Sequence, residues 1–236
     1  ARGGAALIII GGCTIDEASG AVNMLSAKDD RFVPGLAGLA RSVQAHGAKI
    51  AAQLYHAGRY SHSILMGGKQ PVSSSPVRSR LTGETPRELS IPEIQQIQRN
   101  YALAAGRVKR AGFDAVEVIA SAGYLISQFL SPIVNRRKDE YGGDFENRLR
   151  FGLEVIRGIR REAGPDFPVI VRVAGNEFMD GGLANEEARV FARELEKAGA
   201  DMINVTGGWH ETRVPQITMN LPRGGFTYLA RGIKRA

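Results

Sequence analysis

Five short runs rich in β-branched and aliphatic residues recur along the chain, at 6–10, 49–55, 113–119, 168–174 and 201–206, and they restrict the possible folds more than any other feature. Between them, residues 32–46, 92–111, 145–163 and 186–198 carry apolar side chains at the 3.6-residue spacing of amphipathic helices. Alternation of this kind predicts parallel strands, because parallel neighbours require a long crossover and a helix supplies it. Local chemistry agrees with the boundaries. Ser90 precedes Pro92 and Glu93, and Asp144 precedes Asn147, both good helix starts. Gly47, Gly112 and Gly199 stand where the helices should stop in a left-handed turn.

Strand-helix alternation admits an open doubly wound sheet or a closed barrel. The connections that follow strands, notably 57–91 and 120–144, are much longer than those that follow helices. Long loops at the C-terminal ends of strands are the mark of a barrel whose function sits at that mouth. The expected fold class is α/β, with the loop lengths favouring a (β/α)8 TIM barrel, although an open sheet places ligands at the same strand ends. Five strands cannot close eight, so the barrel is expected to be incomplete in one domain spanning 1–236.

The excess of 31 Lys and Arg over 24 Asp and Glu gives +7, enough to steer an anionic cofactor or substrate. The basic residues are scattered among acids, apart from Arg136, Arg137 and Lys138, so no nucleic-acid partner is expected. Cys13 is the single cysteine, which leaves no intrachain disulfide and no cysteine set for zinc or an iron–sulfur cluster. A reducing, cytoplasmic location is expected. No apolar run reaches the length of a membrane span, and the N-terminal residues lack a signal-peptide cleavage pattern, so no membrane association is expected.

No G-x-G-x-x-G follows a strand and no P-loop pattern occurs, so a nucleotide cofactor must be held in some other way. His46, His56, His62 and His210 are not spaced as a local metal set, and no metal site is expected. Polar residues instead gather at or just past the strand ends: Gln53, His56, Arg59, Tyr124, Gln128, Arg172, Trp209, His210, Glu211 and Arg213. In a parallel fold such residues converge on one mouth.

Arg172 lies inside VIVRVA, and a buried charge needs a partner. Either it meets an internal carboxylate such as Glu117, within AVEVI, or its guanidinium faces an electron-rich ligand. Tyr124 follows a strand; its phenol, with an ordinary pKa of about 10, stays protonated at neutral pH and can donate a proton, or it simply packs. His210 follows Gly207 and Gly208, which let backbone approach a ligand closely, though for an isolated histidine a packing role is the commoner one.

Four motifs taken together carry more: QLYHAGR at 53–59, GYLISQFLSP with NRRKDEYGGDFENRLRF across 123–151, the strand arginine Arg172, and GGWHETRVP at 207–215. In this order they resemble the Old Yellow Enzyme superfamily of NADH:flavin oxidoreductases, and the last motif resembles its 2,4-dienoyl-CoA reductase branch. The resemblance implies FMN as cofactor and NADH or NADPH as reductant, with Gly11, Gln53 and Arg172 binding the flavin. It implies Tyr124 as proton donor and His210 as a second catalytic residue, with Glu211, Thr212, Arg213 and Val214 on a substrate-contacting stretch. The implied substrate is a small molecule with a conjugated C=C bond, an enoyl or dienoyl thioester.

Two departures accompany the resemblance. The His/His or His/Asn pair that binds the substrate carbonyl in typical enone reductases falls here on Ile119 and Ala122, a change shared with the dienoyl-CoA branch. The resemblance also puts the first strand before Ala1 and strands seven and eight, with most of the phosphate grip, beyond Ala236, so that the chain would hold about strands 2 to 6. FAD and a 4Fe-4S cluster would belong only to a longer parent protein. NADH oxidase or amine dehydrogenase chemistry on the same flavin, and a fragment without catalysis, are the alternatives.

Overall fold

A computed structural model describes residues 1–213, 218, 219 and 221–236. In chain order the elements are β1 (Leu7–Thr14), α1 (Val33–Gln44), β2 (Lys49–Tyr55), β3 (Val72–Ser73), β4 (Arg87–Glu88), α2 (Ile91–Arg110) and β5 (Ala115–Ala120). They are followed by α3 (Leu125–Leu130), α4 (Phe145–Ala163), β6 (Val169–Ala174), α5 (Asn185–Ala198), β7 (Met202–Thr206) and α6 (Thr227–Lys234). The five expected strands pair in parallel in the order β1-β2-β5-β6-β7, so each αβ step advances one place around a partial barrel.

The predicted ends hold for physical reasons. The Ser90 backbone N–H and hydroxyl both donate to Glu93 Oε2, at 2.8 and 2.7 Å, closing the first turn of α2. Asp144 is the residue before α4, though its side chain makes no capping hydrogen bond. Gly47, Gly112 and Gly199 have φ of 79°, 82° and 110°. β1 departs from expectation: it does not stop at Ile10 but runs on to Thr14 through a register shift between Ile10 and Cys13. The two glycines in that shift, Gly11 and Gly12, form a bulge, so Gly11 lies inside the strand rather than just after it.

Helices pack on the outer face of the sheet. Phe129 and Phe151 stack at 4.3 Å there, with Ile94, Ile156 and Phe191 fully enclosed. The inner face is built in layers, as expected of a barrel. Ala51, Ala115 and Ile170, with Ile9 against them, fill its lower level with small and branched side chains. One residue pair further along, the register sets Gln53 beside Glu117, and above that Arg172 between Ile119 and Asn204. Polar residues thus begin on the inner face where the small apolar layer ends, toward the C-terminal ends of the strands.

Candidate active site

The strand ends and the loops after them enclose a cavity of about 380 Å³ lined by Gly12, Met24, Gln53, Tyr55, Ile119, Tyr124, Arg172 and His210. Its floor belongs to strands. Gln53 and Tyr55 are two residues apart on β2 and so share the inner face, while Ile119 and Arg172 are register partners on β5 and β6. Its wall belongs to loops. Tyr124 and His210 arrive from the turns after β5 and β7.

The Gln53 amide of the floor is fixed by a specific contact, whereas Arg172, among the described residues, is not. Gln53 Nε2 donates to Glu117 Oε1 at 2.6 Å, and the other oxygen of Glu117 accepts from Asn204 Nδ2 at 2.7 Å. Glu117 is completely buried, and its two acceptors face two amides rather than Arg172. The open question about Arg172 is thereby answered: it is half-buried at the cavity, with no ion pair or side-chain hydrogen bond among the described residues. Gly11 is exposed, and a side-chain carbon on it would lie 3.7 Å from Gln53 Oε1, so the amide oxygen looks out beside the β1 bulge.

In the wall, His210 Nε2 and Tyr124 Oη are 2.8 Å apart and the two rings meet edge-on at 5.1 Å. Tyr55 and Tyr60 brace Tyr124 from two sides, with ring centroids at 4.8 and 6.1 Å. Burial raises the Tyr124 pKa, so the phenol keeps its proton at neutral pH. Burial also lowers the His210 pKa, with the Glu211 carboxylate opposing, so the imidazole is held toward its neutral form. A neutral imidazole whose Nε2 carries the hydrogen donates to Tyr124 Oη and leaves the phenol proton free to face the cavity.

The backbone carries Tyr124 there through an uncommon turn. Ala122 has φ 61° and Gly123 φ 86°, and the Ala122 carbonyl accepts from the His210 N–H at 3.3 Å. A Cβ on Gly123 would sit 2.5 Å from Tyr60 Oη and 2.7 Å from Trp209 Cε3, so only glycine fits. Beneath the turn, buried Gln128 uses its whole amide. Nε2 donates to the Ala57 and Gly123 carbonyls at 3.0 and 2.7 Å, and Oε1 accepts from the Arg59 N–H and the Ser73 hydroxyl at 3.0 and 2.9 Å.

Several strand-end residues singled out from the sequence are thus ties rather than cavity groups. Gln128 ties loops together. His56 is fully enclosed, accepts from the Gly58 N–H at 3.0 Å, and is held neutral by burial. Arg59 and Glu211 form an ion pair at 2.6 Å with both side chains 3% exposed. Glu211 Oε1 also accepts from the Arg80 N–H at 2.9 Å. Its carboxylate is therefore occupied in this structure, and a substrate contact by Glu211 would carry the cost of freeing a buried charge. Thr212 turns its hydroxyl back to the Trp209 carbonyl at 2.7 Å, Arg213 is exposed beyond it, and Val214 lies outside the described residues. Tyr55, Met24 and Gly12 were not singled out. Tyr55 carried a usable signal, since it is the last residue of β2, whereas Gly12 and Met24 reach the cavity only through the bulge and the loop after it.

A parallel β/α frame with a cation, an amide and a phenol converging at the strand ends is the construction of a barrel enzyme. Residues 1–231 match the model of the NADH:flavin oxidoreductase / NADH oxidase family, and the chain belongs to that family. It is 61% identical over 237 residues to a metal reductase of Desulforamulus reducens (strain ATCC BAA-1160 / DSM 100696 / MI-1), covering 100% of this chain and 35% of that protein. It is 41% identical to an NADH oxidase of Thermoanaerobacter brockii, covering 100% of this chain and 37% of that one. Among solved structures, a 2-naphthoyl-CoA reductase in complex with 2-naphthoyl-CoA superposes with a TM-score of 0.91 at 33% identity, over 99% of this chain and 38% of that one. The chain thus spans little more than a third of the length of these relatives.

Proposed function

We propose that this chain forms the proton-donating part of an FMN-dependent enzyme that uses NADH or NADPH to reduce a C=C bond conjugated to a carbonyl, in an enoyl or dienoyl thioester. The observation that carries the reading is the 2.8 Å contact between Tyr124 Oη and His210 Nε2 on the wall of the same cavity that Arg172 and Gln53 line. The residues present suit FMN: Arg172 offers an uncompensated cation, and Gln53 Oε1 an acceptor for an imide N–H. FMN bound there supplies the two-electron couple that links nicotinamide to substrate.

The chain's own residues account for the rest. Arg172 would stabilise negative charge that develops beside it. Gln53 fixes the edge of the bound ring system, and Gly11 leaves backbone accessible at the bulge. Tyr124 delivers the proton that completes alkene reduction, and His210 Nε2–H steadies the oxygen as it becomes phenolate. Ile119 and Ala122 offer no side-chain donor to a substrate carbonyl, so polarisation of the thioester falls to the Tyr124–His210 pair.

A second reading has support in the 61% identity to a metal reductase and the 41% identity to an NADH oxidase: electrons leave for an external acceptor and no carbon is protonated. Anaerobic reduction of the full-length protein, followed by addition of a 2,4-dienoyl-CoA, separates the two. Rapid return of oxidised flavin absorbance with loss of the diene supports alkene reduction. A flavin that stays reduced with the diene but is reoxidised by dioxygen or a metal salt overturns it.

A further inference from the structure

Glu117 makes no ion pair with Arg172, although β5 and β6 are neighbours and a cation beside it would offset the burial of its charge. Its two oxygens accept from Gln53 Nε2 at 2.6 Å and from Asn204 Nδ2 at 2.7 Å. Both oxygens act as acceptors, so each amide turns its NH2 group toward Glu117 and its carbonyl oxygen away. For Gln53 the direction away from Glu117 is the cavity, where Oε1 lies 3.7 Å from the position of a Cβ on Gly11. An amide free of such an anchor rotates by half a turn and presents a donor nearly as readily as an acceptor.

We infer that Glu117 is a positioning residue that fixes the polarity of the cofactor site: by holding the Gln53 amide in one orientation it makes the floor accept a hydrogen bond from a bound imide N–H. Asn204 completes the device by occupying the second oxygen, so that Glu117 neither turns toward Arg172 nor neutralises it. Arg172 is then left as donor and cation, and Gln53 as acceptor, on one floor. That pattern complements a ring edge in which an N–H adjoins a carbonyl, as in the pyrimidine edge of an isoalloxazine. The inference rests on the FMN reading and adds to it the group that sets which end of Gln53 faces the ring.

The test is binding to the full-length apoprotein of FMN and of its N3-methyl form, which lacks the imide hydrogen, measured by flavin fluorescence quenching. The native protein should prefer FMN by on the order of tenfold, the worth of one good hydrogen bond. Glu117→Met, unbranched and of similar length, should bring that preference close to unity. The exchange variant Q53E/E117Q should restore it, because the amide now on β5 donates to the carboxylate now on β2, which still presents an oxygen to the cavity. A residue that only supports the fold would weaken both flavins equally, and the exchange would not recover the preference. Unchanged preference in Glu117→Met, or no recovery in the exchange variant, overturns the inference. Absence of binding of either flavin to the native protein overturns the FMN reading along with it.

Discussion

Replacing Glu211 with glutamine separates what the local sequence suggests from what the structure shows. The carboxylate meets Arg59 at 2.6 Å where both side chains are 3% exposed, and it also accepts from the Arg80 N–H at 2.9 Å. Removing one member of a buried pair costs roughly 3–5 kcal/mol, because the remaining charge stays out of water. Arg59 keeps its hydrogen bond to the Arg78 carbonyl at 2.9 Å and its positions over the Tyr60 and Trp209 rings at 5.2 and 5.6 Å. These contacts place the expected loss near the low end, about 3 kcal/mol. Glu211→Gln should therefore lower the urea midpoint of the full-length protein, and adding Arg59→Met should recover part of the loss because no cation is then stranded. A substrate contact would behave differently, raising KM while leaving stability intact. A loss under about 1 kcal/mol, the worth of a solvent-exposed pair, would refute the claim that this corner is dry and that Glu211 is committed to Arg59.

Three further outcomes are expected. Tyr124→Phe should slow alkene reduction by roughly 10²–10⁴-fold, the range for a positioned proton donor, while NAD(P)H-driven flavin reduction measured by stopped flow changes little; equal losses in both would remove the proton-donor assignment. Gly123→Ala should destabilise by about 2–4 kcal/mol, combining a positive φ with overpacking against Tyr60 and Trp209, and a thermal midpoint within a degree of the native value would contradict the close approach. Glu177, 1% exposed, has its pKa raised to about 7 by burial. The folded state therefore holds a proton that the unfolded state releases from pH 4.5 upward, and stability falls by about 3 kcal/mol as pH rises to 7, levelling beyond. Glu177→Gln lacks this term, so the variant should gain about 2–3 kcal/mol relative to the native protein between about pH 5 and pH 8 in denaturation curves; a constant difference would show that Glu177 is ionised throughout.

The frame was legible because its determinants are local. Apolar runs of five to seven residues bounded by Gly112 or Gly199 specify a strand after a helix whatever lies elsewhere, and each of the five expected strands is present. The bulge in β1 was not legible, since Gly11 and Gly12 read as the end of a strand until pairing with β2 shows the strand continuing past them. α3 was hidden because six residues span fewer than two turns, too few for periodicity to detect, and its polar Ser127 and Gln128 are buried with the rest. At the site, position along a strand marked Gln53 and Arg172. It did not distinguish groups that reach the cavity from groups that tie loops together. Glu211 and Gln128 have the same placement in sequence as residues of the wall, and only their long-range partners, 152 and 69 residues away along the chain, show that they are ties.

Floor and wall are held by different forces, and this has a consequence for the chemistry. Gln53, Glu117, Asn204 and Arg172 project from paired strands, so moving any of them means breaking ladder hydrogen bonds and the packing of the small-residue layer below. Tyr124 and His210 stand on turns held by Gln128, by the Arg59–Glu211 pair and by the tight fit of Gly123 against Trp209, all of them contacts outside the five-stranded sheet. Substitution in these segments can therefore move or remove the proposed proton donor without disturbing the groups that would hold a flavin. A frame divided in this way suits a family whose similar members include a naphthoyl-CoA reductase, an NADH oxidase and a metal reductase. On the proposed reading, the floor would serve any reaction that passes electrons through a flavin, whereas the wall would be needed only where a carbon must also receive a proton. The Tyr124–His210 contact is therefore the feature of this chain that argues for a carbon substrate, and its removal by Tyr124→Phe should turn the enzyme toward electron transfer to external acceptors rather than abolish its turnover of NAD(P)H.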